Sequence, residues 1–271
     1  MSGGRERFGV TAWLTWASFV IVTNPAHSQS AGPTEDAAVP APEEAGLADL
    51  VSRGRITWHL GGRRPYTSRL LYERPAGGDG SRERVFDAET RFEMSYKYES
   101  RCPWRWHQDV LEIRPHFFNV RWNVTHQVWL KRPPSPERFW QSALVLHEMD
   151  HVRTSSHPAY AALFRRDLEQ ITLLRFDRAA IRRVLGGGVF DRTQRPRLSG
   201  DQIRQLIKPS TMAAFDRVVD LAEIRYRELD RLTDHGLIAL PLHWHEQQEA
   251  ALEGIANATG TSDNQMGAGR P

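Results

Sequence analysis

Two periodicities divide the chain. Phe92, Met94, Tyr96 and Tyr98 alternate with Arg91, Glu93, Ser95 and Lys97, and Val120, Trp122, Val124, His126, Val128 and Leu130 alternate with Arg121, Asn123, Thr125, Gln127 and Trp129. A period of two is the mark of a strand with one buried face. Arg55 to Leu60, ending at Gly61-Gly62, predicts an earlier strand, and Leu111 with Ile113 predicts the hairpin partner of the clearest one. Beyond residue 135 the apolar spacing changes to three and four. Trp140, Leu144, His147 and His151 follow one another at that spacing, as do Phe215, Val219, Ala222, Tyr226 and Leu229. Pro158 to Leu185 predicts a long helix stopped by Gly186-Gly187-Gly188, and Pro209-Ser210 predicts the break between a short helix and a longer one ending at Gly236. The expected class is α+β, a small antiparallel sheet followed by long helices.

The first of these helices carries the chemistry. Pro133-Pro134-Ser135-Pro136-Glu137 supplies Ser135 as N-cap and Pro136 at the first helical position, and the helix is expected to end near Thr154-Ser155-Ser156, before Pro158. Within it, residues 147 to 151 read His-Glu-Met-Asp-His. Side chains four apart lie one above the other on a helix, so His147 and His151 can bind one metal ion, and Glu148 can reach a water on that ion without itself being a ligand. Because both histidines continue the apolar stripe, they are placed where a ligand belongs rather than on a solvated face. His126, on the apolar face of its strand, reads instead as a satisfied core histidine.

A catalytic zinc needs a third protein ligand. His157, ten residues after His147, has the spacing of the extended metzincin pattern, but Thr154 stands where that pattern needs a glycine to turn the chain back. His235 follows the last long helix in Asp230-x-x-Thr233-Asp234-His235-Gly236. A plain helix end, with His235 facing the negative dipole and Gly236 as cap, also fits that segment. Glu223 and Glu228 are further candidates, and Asp230 or Asp234 could accept a hydrogen bond from a ligand's ring N–H. Tyr226 is a nearby hydroxyl.

Together, Leu146-His147-Glu148-x-x-His151 and Thr233-Asp234-His235-Gly236 resemble the bacterial family of predicted secreted zinc-dependent proteases, also called domain of unknown function 922. The resemblance covers roughly Arg55 to Gly236. It implies zinc held by His147 and His151, Glu148 as general base, and a role at the site for His235, which is taken as the third ligand. Before Asp230, where that family often has tyrosine, this chain has Leu229.

Composition sets the context. The 271 residues, 40% hydrophobic and 25% charged, suit one globular domain over 47–256. Arg5 and Arg7, the apolar run Phe8 to Val22 and Ala26-His27-Ser28 predict a secretory signal peptide over 1–28, too short in its apolar part for a stable membrane anchor. A disordered Ala/Pro/Glu/Ser spacer is expected over 29–46 and a disordered tail over 257–271. His243 and His245 read as part of an exposed amphipathic segment. Cys102 is the single cysteine, which excludes an intramolecular disulfide and reads as a small buried hydrophobe. A net charge of +3 with scattered arginines argues against nucleic acid as a partner.

The expectation is an exported, periplasmic or secreted zinc metallohydrolase with a zincin-like active-site helix, acting on a peptide or protein substrate. The alternatives are a non-catalytic envelope protein with a structural zinc site, or a zinc amidase acting on cell-wall or other non-peptide bonds.

Overall fold

The computed structural model describes residues 16–18, 39–63, 87–186 and 197–258. Its strands are β1 (Trp16–Ser18), β2 (Ile56–Leu60), β3 (Ala88–Arg101), β4 (Trp104–His107), β5 (Val110–Ile113), β6 (His116–Leu130) and β7 (Leu174–Phe176). Its helices are α1 (Ala45–Gly54), α2 (Ala143–Ser155), α3 (Pro158–Glu169), α4 (Arg178–Leu185), α5 (Gly200–Thr233) and α6 (Trp244–Ala258), with a 3-10 turn at Pro136–Gln141. The class is α+β. The two alternating runs of the sequence become β3 and β6, and Met94, Tyr96 and Tyr98 are buried on one face of β3 as the period of two requires.

The described strands form two sheets. One has the order β1-β3-β6-β2, and in it β2 runs parallel to β6, with Ile56 opposite His126 and Leu60 opposite Leu130. The other is the antiparallel ladder β4-β5-β7. Leu111 and Ile113 therefore do not form the hairpin partner of β6. They pair with β4 and β7, where both are fully buried. The parallel pair also departs from an all-antiparallel sheet. A parallel partner needs a long connection, which the stretch between β2 and β6 provides.

The chain forms two compact units. Among the described residues, one draws on 16–18, Tyr96–Trp122, 161–186 and 197–220, the other on 39–63, 87–95, Asn123–Tyr160 and 221–258. In the first, Leu111, Ile113, Ile181, Leu198, Ile203, Leu206 and Ile207 make the core beside the three-stranded sheet. Cys102 packs against this core and burial pushes its thiol pKa up, as suits a structural cysteine. In the second, Leu50, Val128, Leu130, Phe139, Val145, Met149 and Val152 bring α1, the end of β6, the 3-10 turn and α2 into one cluster.

Three sequence expectations about the helices change. The long helix expected over Pro158–Leu185 is two helices with β7 between them, because Leu174–Phe176 pairs as an edge strand and Asp177 restarts the helix by accepting from the Ala180 N–H at 2.6 Å. α5 continues through Pro209. Proline removes its own backbone donor and crowds the carbonyl four residues back, a cost the rest of this long, buried helix outweighs; next to it the Thr211 hydroxyl donates to the Lys208 carbonyl at 3.0 Å. The helix expected from Ser135 is a 3-10 turn that stops at Ser142, whose extended backbone (φ −71, ψ 123) resets the chain before α2.

The ends change too. Val39 already packs against the second core and the Pro40 carbonyl accepts from Trp140 Nε1 at 2.8 Å, so the spacer gives way before residue 46. α6 reaches Ala258. The remainder of the signal peptide, spacer and tail expectations falls outside the described residues, apart from β1, whose Trp16 backbone lies opposite Ser100. No described helix is long and apolar enough to cross a membrane.

Candidate metal centre

All of the centre lies in the second unit. α2 supplies His147, Glu148 and His151, each buried together with Val145, Met149 and Val152. The other contribution comes from the C-terminal end of α5. There Asp230 sits in the last turn, and Asp234, His235 and Gly236 follow with φ of 46°, 59° and 85°. A run of three left-handed residues turns the chain sharply, and only the glycine adopts that region without strain.

These pieces converge on one oxygen. His151 Nε2 lies 3.0 Å and His147 Nε2 3.4 Å from Asp230 Oδ1. His147, His151 and Asp230 are the metal-capable group among the described residues, with their ligand atoms all within 4.8 Å of one another. Two donors bound at about 2.0–2.1 Å to a tetrahedral ion lie about 3.3 Å apart, so the nitrogen–oxygen separations suit a shared cation. Nitrogen and carboxylate oxygen are also the donors that zinc takes from imidazole and carboxylate ligands.

Thr233 decides which nitrogen of His147 is available. Its hydroxyl donates its one proton to the Leu229 carbonyl at 2.8 Å. Thr233 Oγ1 therefore acts as acceptor toward the Gly236 N–H at 3.2 Å and His147 Nδ1 at 3.3 Å. A proton fixed on Nδ1 leaves Nε2 facing Asp230, where it donates to the carboxylate while protonated and offers the lone pair a metal ligand requires once that proton is lost.

His151 is held by packing. The Tyr226 ring lies 4.4 Å from the His151 ring, centroid to centroid, and 4.8 Å from that of Phe92. The hydroxyl of Tyr226 is committed elsewhere. His126, kept neutral because burial lowers its pKa, donates from Nδ1 to the Gly54 carbonyl, so its Nε2 can only accept. The Ser155 hydroxyl then donates to that Nε2 at 2.6 Å, and Tyr226 donates to Ser155 Oγ at 3.0 Å. His126 is thus a satisfied core histidine. Tyr226 packs and positions, with burial raising its own pKa well above the usual phenol value.

Glu148 is the odd member. It is almost fully buried, and its Oε2 has no hydrogen-bond partner among the described residues. Burial raises its pKa, opposed by the neighbouring imidazoles of His151 and His147. For His147, burial disfavours the imidazolium, but the hydrogen bond to Asp230 and the charge of Glu148 outweigh it, and its pKa rises. Asp230 shows the converse. Burial works to raise it, yet hydrogen bonds from His147, His151 and His235 hold the carboxyl far below the ordinary range.

The remaining histidines are sorted by the geometry. His235 Nδ1 lies 3.5 Å from the same Asp230 Oδ1, on the more open side of the centre. His157 is outside the group: its Nδ1 accepts from the Ala159 N–H at 3.2 Å and so caps α3, and burial lowers its pKa. Glu223 and Glu228 are also outside it, Glu228 accepting from Arg225 Nη1 at 3.4 Å. The expectation of an exposed segment at His243 and His245 is corrected in part. His243 pairs with Glu246 in solvent, but His245 Nε2 meets Asp150 Oδ1 of α2 at 2.7 Å beside the buried Trp244.

Gly236 is the residue the sequence undervalued. A Cβ there would stand 2.9 Å from His147 Cγ and 3.0 Å from Cβ and Cδ2 of the same ring. The glycine is thus required both by its φ and by the imidazole packed against it. Gly236→Ala is expected to lower stability by about 2–4 kcal/mol, from left-handed strain plus overpacking, and to displace the His147 ring. Thermal melting together with metal content would show this; a variant with the parent's melting temperature and full metal content would contradict the packing argument.

The chain matches no protein-family model, no curated protein and no solved structure. The chemistry of the centre therefore has to be read from its own atoms.

Proposed function

We propose that the protein is a zinc-dependent hydrolase, acting after export on peptide bonds. The observation that carries this reading is the approach of His147 Nε2 and His151 Nε2 to one carboxylate oxygen of Asp230, at 3.4 and 3.0 Å, with the buried Glu148 next to His147 on the same helix. His147, His151 and Asp230 would hold the ion. A bound zinc would polarise the scissile carbonyl and acidify a coordinated water.

The chain's own residues supply the rest. Glu148, with a pKa raised by burial toward the working pH, takes the proton from the attacking water and passes it to the departing amine. Thr233 keeps His147 in the Nδ1–H tautomer, and Tyr226 keeps the His151 ring in place. The resemblance to secreted zinc-dependent proteases supports the same roles for His147, Glu148 and His151. It differs over the third ligand, for which Asp230 rather than His235 has the better geometry.

A second reading has its own support. His235 Nδ1 lies 3.5 Å from Asp230 Oδ1, and a fourth protein donor at that side would close the centre and make the metal structural. The experiment that separates the two is metal removal. Under the hydrolase reading the purified protein holds one zinc, cleaves an unfolded protein substrate, loses that activity to a chelator and regains it with added zinc. Tightly held zinc with no hydrolysis, and unfolding on chelation, would favour the structural reading and overturn the catalytic one.

A further inference from the structure

The segment that follows Gly236 exposes apolar side chains where a folded chain would ordinarily bury them. Leu237 is 82% exposed, Ile238 60% and Leu242 83%, and Leu146 of α2, next to His147 in sequence, is 41% exposed. Three large apolar groups exposed within six residues depart from the singly scattered ones that need no explanation.

Both ends of this segment are fastened to the motif helix. At one end Gly236 packs on the His147 ring; at the other, His245 Nε2 is 2.7 Å from Asp150 Oδ1 and Trp244 is buried. His147 and Asp150 are three residues apart, so the anchors are about 4.5 Å apart along the axis of α2. Leu146 is one turn from Asp150 on the same side of that helix. The segment is therefore tied to α2 at both ends, with Leu237, Ile238 and Leu242 exposed between the anchors and Leu146 exposed on the same helix. It is also held at its start by the Ile238 N–H, which donates to the Thr233 carbonyl at 2.8 Å.

The centre is unevenly exposed. The side chains of His147 and His151 are 5% and 6% exposed, whereas those of Asp230 and His235 are 30% and 37% exposed. Asp230 and His235 are thus the more exposed members of the centre, and Leu237 follows His235 by two residues in the chain.

We infer that Leu237, Ile238 and Leu242, with Leu146, form an apolar wall of the substrate site that selects a peptide carrying a large aliphatic or aromatic side chain beside the scissile bond. The inference rests on the hydrolase reading for the nature of the occupant. What favours a peptide substrate over another ligand is that the segment starts two residues after His235, which lies 3.5 Å from Asp230, and that Gly236 fastens it to the His147 ring. Burial of one such side chain against two or three aliphatic ones discriminates it from a polar residue by about tenfold or more.

The test uses the zinc-loaded full chain carrying Glu148→Gln, so that binding is read without turnover, and two labelled dodecapeptides that differ only in phenylalanine or glutamine at the central position. The phenylalanine peptide is expected to bind about tenfold more tightly in fluorescence anisotropy. Adding Leu237→Ser and Leu242→Ser, both at exposed positions and so compatible with folding, should reduce that preference to within about twofold while zinc content and melting temperature stay those of the parent. A preference that survives the double substitution, or that is absent to begin with, overturns the inference. Loss of binding to phosphatidylglycerol vesicles in the double variant, with no peptide preference in the parent, would overturn it in favour of a lipid-facing segment. If the chain with Glu148 restored cleaves neither peptide although the loop-dependent preference is present, the hydrolase reading falls and the apolar binding wall stands.

Discussion

Glu148→Gln is expected to reduce peptide hydrolysis by about a thousandfold, within the range that a positioned general base contributes, while leaving one zinc bound and the melting temperature no lower than the parent's. The two halves of this expectation have different origins. Turnover falls because an amide cannot accept the proton of the attacking water. Stability is preserved because the fold already disfavours the charged carboxylate: burial raises the Glu148 pKa, and Oε2 has no hydrogen-bond partner among the described residues. A neutral side chain of the same shape removes that penalty. Sign follows from linkage. A carboxyl whose folded pKa lies above its unfolded value subtracts stability as pH rises through that interval, and the glutamine variant should lack this decline. Unchanged kcat/KM in the variant would remove Glu148 from the mechanism, and a marked fall in melting temperature would show that the carboxylate has a partner the geometry does not reveal.

How much of this centre could be read from the chain alone follows from how local each part is. His147, Glu148 and His151 are spaced by the helix they occupy, so their sequence already encodes their geometry. The third donor is not local. Asp230 is 79 residues from His151, and nothing in the spacing distinguishes it from Asp234, His235 or Glu228. What selects it is its place in the last turn of α5, where its side chain turns toward α2, whereas the left-handed backbone at Asp234 and His235 carries those residues onward into the turn. Thr233 was visible only as part of a helix end, because its role depends on which of its neighbours uses its one proton. The strands were legible for the same reason as the motif: β3 and β6 alternate, and alternation is a local property. Their partners were not. Leu111 and Ile113 carry an ordinary strand pattern, and pairing with β7 rather than β6 is set by packing against α4 and the start of α5, which no short window contains. Pro209 misled in the opposite direction, since a single lost backbone donor is outweighed by a long helix buried at Ile203, Leu206, Ile207 and Ala214.

Asp230→Asn should be the more damaging substitution for the metal, and it separates Asp230 from His235 as the third donor. Asparagine keeps the shape but removes the negative charge toward which His147, His151 and His235 all point. Loss of a direct carboxylate ligand should weaken zinc binding by more than the roughly 10–100-fold typical of an outer-shell partner, whereas His235→Ala should stay within that range. Competition titration against a zinc-binding dye measures both. The reverse ranking, with His235→Ala the worse, would restore the histidine as ligand and reduce Asp230 to its orienting partner. The pH dependence sharpens the test. In the wild type, burial opposes the His147 proton but the Asp230 hydrogen bond and nearby negative charge win, so the metal must displace a proton held more tightly than on an ordinary imidazole. Zinc affinity should therefore fall as pH drops through the raised His147 pKa. The metal-free protein should behave the other way, keeping the full His147 contribution to stability below the unfolded value near 6.5 and losing it as pH rises through the folded one. With asparagine at 230 the hydrogen bond from a charged partner that most raises the His147 pKa is gone, that pKa falls, and the pH at which zinc affinity begins to fail should shift downward even though the affinity itself is weaker. A midpoint that does not move would mean that Asp230 and His147 are not coupled, and the centre as described would be wrong.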